Sequence, residues 1–241
     1  MTPWWIALQF LTRLPVTLAG MPAPEQIGRS LLFYPLVGLL IGLLLLFAQH
    51  LLSDSAVLLQ AALLLTVWVG ISGGLHLDGL ADSADAWAGG FGDRERTLAI
   101  MKDPRSGPIA VVVLVLLLLL KFAALVALLE SGAGLLLLLV PWLARCLLPV
   151  LFLTTPYVRA GGLGQALAEH LPRQHLPWML GTNALAMLLF GWPALLALLV
   201  AGVIFIWLRI LMLKRLGGAT GDTAGALLEI AECSVLLALA C

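Results

Sequence analysis

Three aspartates fall within eight residues of the stretch GGLHLDGLADSADAWAGG, at Asp78, Asp82 and Asp85. On a helix, at roughly 100° per residue, they lie within about 60° of one another on one stripe. Like charges at this spacing repel in a bare helix. A stripe of this kind calls for a compensating cation, and a divalent metal held by carboxylate oxygens is the simplest one. Mg2+ usually holds substrate phosphates as well. The plainer reading is a solvated helix face or a helix start. It fits less well here because a long apolar run leads straight into the stripe, and unpaired charge beside a membrane span is costly. His76 lies on another face of the same turn, as a structural residue or as a contact to substrate. The segment RERTLAIMKDPRSG follows at once. Its Lys102 and Arg105 sit beside the acidic stripe and suggest an anionic substrate, a phosphate or pyrophosphate. Arg94 and Arg96 read as anchoring charges.

A second acidic group lies near the end of the chain, in GGATGDTAGALLEIAE. Gly217 and Gly218 permit a tight turn, and Thr220 or Asp222 can cap the helix that follows. Asp222, Gly225, Glu229 and Glu232 share one broad face, with Gly225 allowing close helix approach. Glu229 and Glu232 fall inside an apolar segment, where carboxylates are functional or paired. Lys121 and Arg145 are the candidate partners. Two carboxylate-bearing helices facing each other could hold one or two Mg2+ ions around a diphosphate. The TGD turn is then expected close to the HLDGLAD helix.

The elements that position these residues are set by composition. The chain has 241 residues, 62% hydrophobic and 11% charged, with a mean hydropathy of +1.08. Soluble domains are about 45–50% apolar and about 25% charged. The expected fold is therefore all-α: a polytopic membrane helix bundle formed by 1–241 as a single integral-membrane domain. A bilayer core takes about 20 apolar residues per helix. Six segments satisfy this, at 30–52, 55–75, 108–129, 133–153, 192–213 and 222–240. A shorter one at 177–191 brings the count to about seven. Residues 76–88 are expected to continue as a helix from the span before them. The first dozen residues read as an interfacial or re-entrant helix anchored by Trp4 and Trp5. They lack the basic start and small-residue site of a cleaved signal peptide.

With seven spans, one set of loops holds Arg13, Arg29, Arg94, Arg96, Lys102, Arg105, Arg159, Arg173, Lys214 and Arg215, and the other set holds none. The basic side is cytoplasmic. The N-terminus and both acidic stripes then face the cytoplasm, and the C-terminus lies outside. A net charge of zero says nothing about partners, and without a basic patch nucleic acid is not expected to be one. Cys146, Cys233 and Cys241 are scattered and read as small apolar residues.

The blocks FLTRLPV, YPLVGLLIG, GGLHLDGLADSADA, MKDPRSG and GGATGDTAGALLEIAE resemble, in order, those of the cobalamin synthase family, the adenosylcobinamide-GDP ribazoletransferases. The resemblance runs from residue 10 to about residue 232. It implies a Mg2+-dependent phosphotransferase of the bacterial inner membrane, acting late in cobalamin synthesis. Adenosylcobinamide-GDP and α-ribazole, or its 5′-phosphate, would give adenosylcobalamin, or its 5′-phosphate, with release of GMP. Carried onto this chain, Asp78, Asp82, Asp85 and Asp222 would hold the metal. Lys102 and Arg105 would steady phosphoryl oxygens, with His76 and Glu229 as further substrate contacts. Asp82, Asp85 or Glu229 would accept the hydroxyl proton. Partners would be the two substrates and the lipid bilayer, with room for a homo-oligomer or a complex with other corrinoid-pathway enzymes. The rival from another class is an ion-coupled secondary transporter relaying charge through Glu229 and Glu232.

Overall fold

The structure is a computed structural model that describes residues 2–18, 20–161 and 163–241. Among the described residues, twelve α-helices carry the chain. They are α1 (Thr2–Leu11), α2 (Pro24–Ser30), α3 (Tyr34–Leu51), α4 (Val57–Ser72), α5 (Leu75–Gly89), α6 (Arg94–Ile100), α7 (Pro108–Glu130), α8 (Leu139–Thr154), α9 (Leu163–Glu169), α10 (Leu176–Met187), α11 (Trp192–Leu216) and α12 (Gly221–Ala240). Among the described residues, β pairing is limited to one isolated bridge between Tyr157 and Ala219. The all-α polytopic bundle expected from composition is what the chain forms.

Among the described residues, five helical segments are long and apolar enough to cross a bilayer: Pro24–Leu51, Pro108–Glu130, Gly134–Thr154, Trp192–Leu216 and Gly221–Ala240. A sixth is the pair α4 and α5, bent by 88° at its break. The apolar stretch Leu176–Phe190 is helical but short. Its 15 residues reach roughly 22 Å at 1.5 Å each, against a hydrocarbon core of about 30 Å.

The bend corrects one expectation, since α5 does not continue α4. Gly73 and Gly74 both adopt left-handed backbone, at φ of 65° and 70°. Gly73 ends α4 and Gly74 opens α5. Residues with a Cβ rarely adopt this conformation, and two in succession stop a helix and redirect it.

At the centre lies α8, with thirteen of its sixteen residues buried. A side chain in place of hydrogen at Gly38 would fall 2.4 Å from the Pro141 carbonyl oxygen, and at Gly42 2.9 Å from that of Leu138. Small residues thus let α3 lie directly on α8 and the turn before it, the usual way membrane helices gain packing contact without a hydrophobic drive. Helix α12 is the other inner element and packs against α5, α7, α8 and α11. By contrast α7 and α11 show much of their apolar surface outward, with Val111, Val115, Leu119, Leu199, Val203 and Ile206 all more than half exposed. That is the pattern of lipid-facing helices around a packed interior.

Candidate functional site: an aspartate cluster between two helices

The carboxylates come from α5 and from the first turn of α12. The start of α12 is fixed locally. Thr220, in extended backbone, accepts from Thr223 N, and the Thr223 hydroxyl accepts from Thr220 N at 2.8 Å. Of the two caps open to the sequence, the structure uses Thr220, which leaves Asp222 free to point elsewhere. A Cβ at Gly79 would lie 2.8 Å from the Asp222 carbonyl oxygen, and one at Gly225 would lie 3.1 Å from that of His76. The two helices therefore touch backbone to backbone. The TGD turn meets the HLDGLAD helix as expected, across more than 130 residues of sequence.

Electrostatics ties the group together. Asp78, Asp222 and Asp85 each repel the charge of Asp82, and Arg159 attracts it. Asp78 is exposed, and the other three are partly buried. Arg159 Nη1 donates to Asp222 Oδ2 at 2.6 Å. Four carboxylates facing one guanidinium leave three negative charges unbalanced when all are ionised. Arg159 was legible in the sequence only as a loop charge. It is brought in by the bridge at Tyr157, where Val158 N donates to Ala219 O at 2.9 Å and Ala219 N to Pro156 O at 2.8 Å. These bonds fasten the segment after α8 to the turn before α12.

Asp85 has an engagement of its own. Its carboxylate accepts from the backbone amides of Gly107 and, at 2.9 Å, of Ala110. These are first-turn donors of α7, which begins with Pro108 and has no cap on its own chain side. Asp85 therefore caps α7 from a neighbouring helix, satisfying amides that the helix cannot satisfy itself. The same bonds hold the MKDPRSG loop beside the cluster. On that loop Lys102 and Arg105 are exposed. Arg105 Nη2 meets Asp103 Oδ2 at 2.8 Å, and its hydrogen bonds hold the Asp103 carboxyl down to about 2. Lys102 has no ion pair among the described residues.

Two expected site residues lie elsewhere. Glu229 does not face the cluster. It is 3% exposed, and Lys121 Nζ donates to its Oε2 at 2.7 Å and to Glu232 Oε2 at 2.6 Å. Arg145 pairs with Glu232. This four-charge group inside the bundle joins α7, α8 and α12, with the very partners the sequence offered, Lys121 and Arg145. Substrate binding by Glu229 is thus set aside, because its carboxylate is enclosed and already paired. His76 is 4% exposed and lines a cavity of about 210 Å3 that also touches Asp222.

As the side chains lie, no three His, Cys, Asp or Glu among the described residues converge on one ion position. The donor set nevertheless has the right chemistry for Mg2+, being all carboxylate oxygen with excess negative charge. Asp85 already serves two amides and Asp222 shares its carboxylate with Arg159, so Asp78 and Asp82 are the two without a partner among the described residues, and Asp222 is the third carboxylate a metal could reach.

Comparison with known proteins agrees with the blocks in the sequence. The sequence model of the family described as Cobalamin-5-phosphate synthase matches residues 3–240. A protein of Ectopseudomonas mendocina named adenosylcobinamide-GDP ribazoletransferase is 72% identical over 235 residues, covering 98% of this chain and 97% of the relative. A Pseudomonas aeruginosa protein of the same name is 68% identical over 235 residues, with 98% and 96% covered. One from Pseudomonas putida is 66% identical over 241 residues, with 100% and 99% covered. No solved structure matches the chain.

Proposed function

The chain belongs to the cobalamin-5-phosphate synthase family, and from that premise we propose that it joins adenosylcobinamide-GDP to α-ribazole, or to α-ribazole 5′-phosphate, with release of GMP. The reaction is a substitution at phosphorus. A ribose hydroxyl oxygen of the acceptor bonds to the corrinoid-linked phosphorus of the diphosphate. The bond from that phosphorus to the bridging oxygen breaks, and the oxygen leaves on GMP. The hydroxyl proton goes to a carboxylate. The products are adenosylcobalamin, or its 5′-phosphate, and GMP. Such transfers need positioning and charge neutralisation more than covalent help from the protein.

The observation that carries this reading is the aspartate cluster, built by α5 and α12 in backbone contact with Arg159 as its one paired cation. Mg2+ held by Asp78, Asp82 and Asp222 would neutralise charge on the diphosphate. Of the three candidate bases, Asp85 is bonded to two amides and Glu229 is enclosed with Lys121, which leaves Asp82 to accept the proton. Lys102 and Arg105, on the loop tied to Asp85, steady the outer phosphate and the departing GMP. The site faces the cytoplasm of a cell whose inner membrane holds the protein, the side on which the basic loops fall. Ion-coupled transport loses its basis, because Glu229 and Glu232 are neutralised by Lys121 and Arg145.

The test is GMP release by purified protein in detergent, with adenosylcobinamide-GDP and either acceptor. Turnover should require Mg2+ and stop in excess EDTA. Asp82→Asn should lower kcat by at least about 1,000-fold, because it removes both a ligand and a base. Turnover that persists in EDTA would remove the metal from this account. Full activity of Asp82→Asn would remove the base.

A further inference from the structure

An open cleft of about 450 Å3 lies between α2 and the segment from His170 to His175, and it shares no lining residue with the aspartate cluster. Arg29 of α2 and Arg173 of that segment line it, together with His170, His175 and one carboxylate, Glu25. Both arginines are exposed, and neither forms an ion pair among the described residues. Glu25 sits one turn before Arg29 on the same helix and pairs with neither of them.

The cleft is preformed. A side chain at Gly28 would strike the His170 carbonyl oxygen, so α2 and the residue after α9 touch backbone to backbone. The Pro172 carbonyl accepts from His175 N at 2.9 Å and from Leu176 N at 3.2 Å, which closes the turn into α10. Helix α10 has no side-chain cap, so its first amides add positive potential at the same place. Two guanidiniums and a helix start against one carboxylate leave the cleft cationic. The fork of a guanidinium matches phosphate oxygens.

Place in the fold says which phosphate. Helix α2 runs into the apolar segment Pro24–Leu51, and α10 opens the apolar stretch Leu176–Phe190. The two starts are neighbours, since α10 packs on the 3-10 turn Leu31–Phe33 that follows α2. The cleft therefore sits where apolar helices begin, at the level of lipid headgroups. Trp178, three residues past His175, is exposed there as an interfacial anchor. Leu185 and Leu189 are exposed on the same side of that stretch. A cationic cleft that leads onto an exposed apolar stripe matches a phospholipid, and basic pockets between membrane helices take anionic headgroups. A soluble phosphate would gain nothing from the stripe.

We propose that this cleft binds the headgroup of one anionic phospholipid, a phosphatidylglycerol-type diester. Its phosphate bonds Arg29 and Arg173, a headgroup hydroxyl donates to Glu25, and an acyl chain runs along Trp178, Leu185 and Leu189. A diester with one negative charge and free hydroxyls uses both the cations and the lone acceptor. The lipid site stands apart from the phosphotransfer reading.

Full-length protein in neutral detergent is titrated with dioleoylphosphatidylglycerol, and with phosphatidylcholine and phosphatidylethanolamine of the same chains. Bound lipid is read by native mass spectrometry. Wild type should retain one phosphatidylglycerol at least about 10-fold more tightly than either zwitterionic lipid. Arg29→Gln or Arg173→Gln should weaken that lipid about 5-fold each, as loss of one basic residue at an anionic surface does, and the double variant should lose the preference. A double Arg94→Gln, Arg96→Gln variant, which removes another exposed basic pair, should keep it. Equal retention of the three lipids would overturn the proposal. So would an equal loss in the Arg94, Arg96 variant, which would make the attraction diffuse. Two further readings separate a soluble anion from a lipid. Inorganic phosphate should leave Tm in detergent unchanged, and the Arg29, Arg173 double variant should keep KM for both substrates within about twofold of wild type. A phosphate-dependent rise in Tm that the double variant loses, or a larger rise in either KM, would give the cleft to a soluble phosphate and overturn the lipid.

Discussion

Lys121→Met tests whether the charges inside the bundle are structural. In the native protein Lys121 and Arg145 balance Glu229 and Glu232, and all four side chains are 4% exposed or less. Removing the lysine leaves a net negative charge where water does not reach, and Glu229 loses its only paired cation among the described residues. Breaking a buried pair by deleting one partner costs about 3–5 kcal/mol. The ammonium also sits 4.8 Å from the Trp68 ring centroid, a contact worth about 0.5–2 kcal/mol. For chains of this size about 1 kcal/mol moves Tm by about 2–4 °C, so the ion-pair loss alone predicts a fall of roughly 6–20 °C. The assay is thermal unfolding in detergent, read by a thiol-reactive dye. Cys146 and Cys233 are buried and report unfolding, while exposed Cys241 is replaced by Ser to lower the baseline. Adding Glu229→Gln restores neutrality and should recover at least half of the loss. The Trp68 contact stays absent, so recovery should be incomplete. A Tm within 2 °C of wild type for Lys121→Met, or lost GMP release at unchanged Tm, would refute the structural role and put Lys121 in the chemistry.

Gly79→Ala drives a methyl to within 2.8 Å of the Asp222 carbonyl oxygen. A displacement approaching 1 Å should cut turnover by about 100-fold, while Gly202→Ala, where nothing lies within 4 Å, should leave activity and Tm unchanged. An active Gly79→Ala would show that α5 and α12 need not touch. A reporter fused after Cys241 that works only outside the cytoplasm should be active if the bent pair α4–α5 and the short helix Leu176–Phe190 each count as a crossing, since with seven spans all ten basic residues named above fall on the other side. A strong signal from a cytoplasm-only reporter there would reverse the orientation.

Much of the site was legible because its signals are local and chemical. Asp78, Asp82 and Asp85 fall on one stripe of a single helix, and that stripe is intact in α5. The partners of Glu229 and Glu232 were also readable, because an apolar chain offers few cations at span depth, and Lys121 and Arg145 are two of them. What stayed hidden depends on relations between distant segments. Arg159 looks like any loop arginine until the Tyr157 bridge fastens it beside Asp222. Asp85 looks like a third metal ligand until α7 presents uncapped amides to it. The break between α4 and α5 was written in the pair Gly73 and Gly74, yet apolar content on both sides favoured one continuous helix. Glycine conformation, not hydropathy, decided the matter. The cavity at His76 and Asp222 has no sequence pattern at all, since its walls come from α1, α3, α5, α8, α9 and α12.

The charge group at Lys121 also imposes an order on how the protein is made. Its partners lie 108 and 111 residues further along the chain. At about 5–20 residues per second, they leave the ribosome roughly 5–20 s after the lysine does. During that interval α7 must enter the bilayer with its lysine unmatched, against a cost of about 2.5–3.5 kcal/mol for a cation near a span centre. It can do so because its mean hydropathy of 3.1 is the highest of the five long segments. The last segment, Gly221–Ala240, has the lowest at 1.7 and carries two glutamates. Lys121 and Arg145, already in place, offset the charge of its two glutamates, so the helix that completes the aspartate cluster meets a surface finished before it.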